Sequence, residues 1–230
     1  MSAGHRTAGA LVGPILAAAC VWSAPSRAAD AAMPTSGLQL GARVGASWPT
    51  GTLSGGSALS THLSDLETAT VPIGIDAGYR FSSQWYLGGT VAWGPGLPPN
   101  SQGTCPANVS CFRQDAQLRV EARVYFPPQS PKKGTFWLGL GAGWEVAAFA
   151  QDALGRSVTT TLTGPVFADF EAGIDGHIRD VAIGPYMGVT VAEFVTYGEN
   201  PAATPVSTGI ASPAPHTWIT FGIHGSYGPW

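Results

Sequence analysis

Few residues in this sequence have the types and spacing that chemistry requires. The stretch "HGS" (224–226) places an imidazole and a hydroxyl two residues apart, and so on one face of a β-strand, as a base and a nucleophile need. No acid stands among the four residues that follow. The five histidines have no metal-ligand spacing, and "LGLGAG" (138–143) lacks the glycine spacing of a phosphate loop. We therefore predict no metal and no cofactor.

Charged residues enter the sequence in a regular way instead. In "AQLRVEARVYF" (116–126) apolar and polar residues alternate strictly, which is the side-chain period of a β-strand. Other segments repeat this pattern, so one set of charged side chains shares the polar face of a sheet. The members of this set are Arg43, Asp76, Arg80, Arg119, Glu121, Arg123, Glu145, Asp169, Glu171 and Asp175.

Eight segments carry the alternation, and none shows a helical period. Their connections run long, short, long, short, medium, short and long, which is typical of an up-and-down membrane barrel with tight turns at one end. Such regularity is not expected of a soluble sandwich. The segments are 38–48, 69–81, 85–93, about 113–126, 136–149, about 158–175, 181–197 and 217–230.

Composition favours the same class. Charged residues make up 11% of the 230 residues, against about 25% in an ordinary soluble domain. A net charge of −3 gives no electrostatic footprint for nucleic acid, so no nucleic-acid partner is expected. After the leader, no run of 18 apolar residues could form a spanning helix.

The alternation could place either face toward a core, and the ends of the segments decide between them. Aromatic residues concentrate there, as two interfacial belts require. The apolar faces are uncharged along their middle, so we expect lipid outside and the charged face in the bore. Eight strands leave an interior that side chains can fill. The expected belt residues are Trp48, Phe81, Trp85, Trp93, Phe126, Phe136, Phe149, Tyr197 and Trp218.

Buried charges must be paired, so the polar face predicts a salt-bridge network in the lumen. Hairpin register places Arg43 diagonal to Asp76 and Arg119 near Glu145. Inward glycines leave room for water. A narrow gated pore therefore stays an alternative hypothesis to a filled barrel.

The first residues have the pattern of a secretory signal. A short apolar stretch is followed by small residues that predict cleavage after Ala28, or as late as Ala31. The exported part then keeps Cys105 and Cys111, which we expect to form a disulfide in an oxidising compartment. Two domains follow from this, a signal at 1–28 and a barrel at 36–230.

The terminal aromatic Trp230 after a last amphipathic strand resembles the sorting signal of Gram-negative outer-membrane proteins. With the leader and the eight segments, residues 36–230 resemble small OmpA-type, OmpX-type or OmpW-type barrels. Pro229 departs from the alternation just before the last residue. The resemblance implies an all-β, eight-stranded antiparallel up-and-down transmembrane β-barrel in the bacterial outer membrane. It also implies contact with lipid and lipopolysaccharide, assembly by the barrel-assembly machinery through the last strand, and a monomer.

Three functions follow as expectations. The first is a non-enzymatic barrel with a structural or surface-interaction role. The second is a narrow gated pore or carrier for small solutes, with Arg119 and Glu145 as gate candidates. The third is a lipid A hydrolase, because His224 and Ser226 resemble the His-x-Ser element of outer-membrane lipid A deacylases. That family also uses a carboxylate further along the chain, which is missing here.

Overall fold

The computed structural model is built almost entirely from antiparallel β-strands. The residues that it describes are 36–53, 62–97, 109–126, 134–153, 156–201 and 206–229. The elements are β1 (Gly37–Gly51), α1 (Leu63–Leu66), β2 (Ala69–Thr70), β3 (Ile73–Arg80), β4 (Trp85–Leu97), β5 (Val109–Phe126), β6 (Thr135–Ala153), β7 (Arg156–Ile178), β8 (Val181–Glu193), β9 (Thr196–Pro201), β10 (Val206–Gly209) and β11 (Pro215–Tyr227).

Eight of these strands close into a ring, in the order β1, β3, β4, β5, β6, β7, β8 and β11. The ring closes where β1 pairs with β11 over twelve residue pairs, from Leu40 opposite Tyr227 to Gly51 opposite His216. No strand of the ring therefore has a free edge along its membrane part, as hydrocarbon requires. The predicted fold class, an eight-stranded antiparallel up-and-down barrel, is confirmed.

The outward parity is apolar on every strand of the ring. In mid-strand, Val120 of β5 is 64% exposed and Leu140 of β6 is 55% exposed. The charged residues that alternate with the outward residues on these strands are buried. Among the described residues no helix is long and apolar enough to cross a membrane. Aromatic residues end the outward rows, and those with exposed side chains are Trp48, Phe81, Trp85, Trp93, Phe126 and Phe136.

Strands β5, β6 and β7 continue past the apolar rows at the outer end, which we define as the end where β1 finishes and β11 begins. The medium loop expected at 150–157 is therefore wrong: β6 runs to Ala153 and β7 begins at Arg156, so these strands form one long hairpin. The upper part of β7 pairs with β9, and β9 pairs with β10. This extension, with α1, builds a second layer of structure above the ring.

One irregularity lies at this transition. The register of β7 against both neighbours shifts by one residue near Phe167, as a β-bulge does. The alternation of the segment 158–175, with Asp169 and Glu171 inward, predicts an outward Val166 beside an outward Ala168. Val166 is instead 2% exposed, and Phe167 is 55% exposed. The bulge thus reverses which residues of β7 face inward above this point.

Several predictions fall on residues outside the described ranges. The leader at 1–28, Cys105 and Trp230 belong to them, so the signal cleavage and the disulfide remain predictions. Cys111 lies on the outer part of β5. Pro229 is described, and its carbonyl oxygen accepts a hydrogen bond from Arg80 Nη1 at 3.2 Å.

Candidate functional site

Seven of the ten predicted charged residues form one continuous cluster of ion pairs inside the barrel, which we call the lumen network. Three guanidinium groups and four carboxylates alternate across the bore, and all seven residues are at most 6% exposed. The members are Arg43, Asp76, Arg119, Glu121, Arg123, Asp169 and Glu171.

Arg43 occupies the centre of this network. Its Nη2 lies 3.1 Å from Asp76 Oδ1 and 3.2 Å from Glu121 Oε2, and its Nη1 contacts Glu171. The pairing with Asp76 follows the register, because Arg43 stands opposite Gly74 and diagonal to position 76. One guanidinium thus joins carboxylates from three other strands, which a single hairpin could not reveal.

Arg119 pairs differently from the expectation. It contacts Asp169 and lies 3.4 Å from Glu171, both on β7 across the intervening strand β6. Glu145, the expected neighbour, instead accepts hydrogen bonds from Trp218 Nε1 at 2.8 Å and His216 Nε2 at 3.1 Å. Gly143 stands opposite Arg119 and has no side chain, so the long Arg119 side chain can cross β6 to the carboxylates of β7. The diagonal position of Glu145 in the β5–β6 hairpin therefore does not make it the ion-pair partner of Arg119.

The third arginine, Arg123, links the network to a layer of aromatic rings nearer the end with the short turns, opposite the outer end. Arg123 Nη2 lies 2.5 Å from Glu121 Oε1 and 3.3 Å from Asp76 Oδ2. Its guanidinium also lies over the Tyr86 ring at 5.0 Å and the Trp137 ring at 5.1 Å. Arg123 is fully buried, so this cation exchanges water for carboxylates and ring faces.

The remaining predicted charges lie closer to the turns. Arg80 donates from Nη2 to the Ser83 carbonyl at 2.6 Å and from Nε to the Ser82 carbonyl at 3.1 Å, and it lies 4.3 Å from the Tyr125 ring. Asp175 Oδ1 lies 3.7 Å from His224 Nδ1. Arg80 therefore binds the turn between β3 and β4 and helps close the end of the barrel that is opposite the outer end.

Inward aromatic rings fill space that the sequence analysis assigned to water. Tyr86, Tyr125, Trp137 and Tyr186 form one buried cluster. The inward glycines make room for them: a Cβ on Gly173 would lie 2.6 Å from the Trp137 ring. Each ring shares the inward parity with neighbouring glycines, and that shared parity is the signal in the sequence that predicts this filling.

The outer belt was expected to include Phe149, Tyr197 and Trp218, and this is wrong. Phe149 and Tyr197 pack against a buried cluster at the outer end, and Trp218 belongs to that cluster. Trp218 is 1% exposed and faces inward, where its indole nitrogen needs and finds the Glu145 acceptor. A position at the end of a strand did not decide its direction, because parity places it on the face of His216 and Thr220.

The "HGS" pair also lies in the interior. His224 is 1% exposed and Ser226 is 4% exposed, and Arg123 Nη1 donates to His224 Nε2 at 3.1 Å. The imidazole is thus engaged by a cation, and neither side chain faces the lipid. The arrangement suits a buried polar layer better than an attack on a membrane substrate.

A cavity of about 30 Å³ lies among Arg43, Arg119, Asp115 and Tyr186. That is room for about two water molecules, since each needs roughly 10–15 Å³ of this measure.

A closed ring of eight antiparallel strands, apolar outside and ionic inside, defines a small membrane-spanning β-barrel. Two solved outer-membrane barrels are similar to this chain. Neisserial surface protein A (NspA) is 13% identical with a TM-score of 0.44, covering 82% of this chain and 97% of its own. AlkL, solved by solid-state NMR in DMPC bilayers, is 12% identical with a TM-score of 0.48, covering 90% and 96%.

No protein-family model matches the sequence, and no curated protein matches it either. The expected barrel fold is confirmed by the closed ring of eight antiparallel strands itself.

Proposed function

We propose that this protein is a non-enzymatic outer-membrane barrel that acts through its outer end, with an interior closed to solutes. The observation that carries this proposal is the filled lumen, in which the lumen network and the aromatic cluster occupy successive layers of the bore. A scaffold of this kind supports membrane integrity and displays its outer connections for contact with partners.

Assembly and environment complete the proposal. The segment 1–28 would direct export and be cleaved, and the strand ending at Trp230 would be recognised by the barrel-assembly machinery. The apolar outer face would contact lipid and lipopolysaccharide, and the barrel would be a monomer. A Cys105–Cys111 disulfide would stiffen the outer connection before β5.

Current through planar bilayers tests the closed interior. We expect the folded protein to give no stepwise current, because each ion pair that must separate is buried and joined to others. An open porin in the same bilayers controls for sensitivity, and slower gel migration after boiling controls for folding. Stepwise current from the unaltered protein would overturn the proposal in favour of a narrow pore.

The Arg119→Ala variant sharpens this test. It leaves the aromatic cluster in place, so a second barrier remains and we expect no current from this variant either. Steady current from Arg119→Ala alone would show that the lumen network is a gate and would support the pore function instead.

A further inference from the structure

A short segment completes the barrel wall at the outer end, between the last residues of β1 and β4. Strand β3 begins to pair with β1 only at Ile73 opposite Val44, although β1 itself continues to Gly51. Outward of that pair the wall consists of α1, β2 and the residues that join them, and we call this segment (63–70) the lid. Strand β2 makes one residue pair with β1 and two with β4, whereas neighbouring strands of the ring pair over eight residues or more. The lid is therefore the least extensively paired part of the described wall.

Two buried side chains hold the lid in place. Leu63 is fully buried in the cluster that includes Phe194 and Trp218. Glu67 is 1% exposed, and its carboxyl group occupies the place that a Cβ on Gly96 of β4 would take. The position of the lid thus depends on one apolar anchor and on one acid that is packed against backbone.

An ionised Glu67 would be poorly accommodated in this position. Its Oε1 is buried and has no hydrogen-bond partner among the described residues. The charged groups that act on it are Asp115 and Arg113 on β5 and Glu145 on β6, so two carboxylates and one cation face it. His216 of β11 lies behind them, with its Nε2 3.1 Å from Glu145 Oε2. A buried carboxylate without donors is costly, so the closed lid favours the neutral acid.

The remaining elements beside Glu67 add no charge to this group. Residues 45–51 of β1 and 93–97 of β4 contain no ionisable side chain. Asp65 within the lid and His62 just before it are exposed. Burial raises the pKa of Glu67 to about 8, with the carboxylates of β5 and β6 adding to it and the guanidinium opposing it. In water the same carboxyl ionises near pH 4.5, so a rise in pH between these two values favours its release.

We propose that the segment 63–70 is a pH-sensitive lid, closed while Glu67 is protonated and released toward water when its carboxyl group ionises. Because β2 has so few residue pairs, the lid opens without unfolding of the ring. Release exposes Leu63 and opens the small cavity that Thr70 and Asp115 line, so water from the outer end reaches the lumen network. This device goes beyond the scaffold function, and it stands whether or not the lumen conducts.

Labelling of single cysteines with N-ethylmaleimide measures the opening. Leu63→Cys reports the lid, and Ser64→Cys, at the exposed next residue, reports how a freely accessible thiol reacts at each pH. Both are made in a chain that carries Cys20→Ser, Cys105→Ser and Cys111→Ser, folded into phosphatidylcholine vesicles. We expect the ratio of the two labelling rates to rise at least about tenfold from pH 6 to pH 8 and to level off above pH 8.

Further variants identify the group and the extent of the opening. Glu67→Gln is neutral at every pH, so the ratio should stay constant within about twofold. Asp65→Asn, on the exposed side of α1, should leave the rise unchanged. Ala182→Cys lies fully buried in the lumen on β8, and it should stay unlabelled from pH 6 to pH 9 because the opening is local.

Three outcomes overturn the proposal. The first is a constant ratio below one in the chain with Glu67, and the second is a rise that persists in Glu67→Gln. The third is an equal rise at Ala182→Cys, which would mean that the whole ring unfolds. Boiled and unboiled gel mobility verifies that each variant is folded.

A labelling ratio near one at every pH would mean that the cysteine at 63 had itself loosened the lid. The chain with Leu63 then decides through the Thr68 amide, which donates to the Leu97 carbonyl at 3.0 Å. Its protection factor against hydrogen exchange should fall at least about tenfold from pH 6 to pH 8. A protection factor that stays constant over this range overturns the proposal.

Discussion

The lumen network and the apolar recess at the outer end lie inside the same sheet, yet their linings are opposite in character. This recess, called the outer cavity, is lined mainly by Leu53, Leu66, Phe149, Leu162, Tyr197 and Ile210. Along the inward face of β6, Glu145 is followed by Ala147 and Phe149 as the strand leaves the membrane part. On β7 the inward residues change from Asp169 to Leu162 across the bulge. The surroundings explain the change: lipid outside requires a polar or filled bore, whereas water outside permits an ordinary apolar core.

The boundary between the membrane part and the extension above it therefore falls at a particular residue on each strand. Trp144 on β6 and Phe167 on β7 are the last large outward apolar residues of their strands, at 46% and 55% exposure. Above them the extension has an apolar interior, as the sheet of a water-soluble protein has. A barrel can thus carry a sealed ionic interior and an apolar site only a few residues apart.

The largest expected effect comes from breaking the ionic interior. Arg123→Gln removes the cation from Glu121 and Asp76 while all three side chains remain buried, so we expect a loss of about 3–5 kcal/mol in the free energy of unfolding. Urea unfolding in phosphatidylcholine vesicles, followed by tryptophan fluorescence, measures it.

Arg179→Gln is the matched control, because Arg179 is exposed in the turn between β7 and β8. We expect it to change stability by less than about 0.5 kcal/mol, as surface substitutions usually do. Equal, small effects of the two variants would mean that water fills the lumen and screens the ion pairs, contrary to the packed interior described above.

A somewhat smaller effect is expected from charging the outer face within the lipid. Leu140 lies midway along the outward row of β6, so Leu140→Lys should cost about 2–4 kcal/mol in a bilayer. Thr161→Lys, above the membrane boundary on β7, should cost almost nothing. The same vesicle unfolding assay applies, and a harmless lysine at 140 would argue that this row contacts water.

Strict alternation was sufficient to predict the strands and the direction of most side chains, because every second side chain of a strand must be apolar where one face of the sheet contacts lipid. It also predicted the Arg43–Asp76 pair, because the antiparallel register of the segments 38–48 and 69–81 places those two residues diagonally. Free strand edges are too costly in lipid for an open sheet, and the β1–β11 pairing removes them.

Other features depend on information that periodicity does not contain. The bulge near Phe167 follows Gly164 and Pro165, which mark an interruption of a strand but do not say how far the register shifts, so Val166 was placed on the wrong face. The partners of Arg119 depend on how far long side chains reach across an intervening glycine. The outer cavity forms only when β9 and α1 meet the extended β5–β7 sheet, and no pattern within a single strand encodes that meeting.

The smallest predicted effect concerns the acid beside the floor of the outer cavity. Burial is the main cause that raises the pKa of Glu67 to about 8, with Asp115 and Glu145 adding to it and Arg113 opposing it. The folded state thus holds a proton that the unfolded chain releases near pH 4.5, so this group lowers stability progressively between pH 4.5 and about 8. Glu67→Gln should remove that slope and make the protein about 1–3 kcal/mol more stable at pH 9, with little change near pH 4. Urea unfolding across this pH range measures it, with Asp65→Asn on the exposed side of α1 as the control. Parallel profiles for Glu67→Gln and the unaltered protein would show that Glu67 ionises as it does in water, and the floor of the outer cavity would then be wetter than its packing implies.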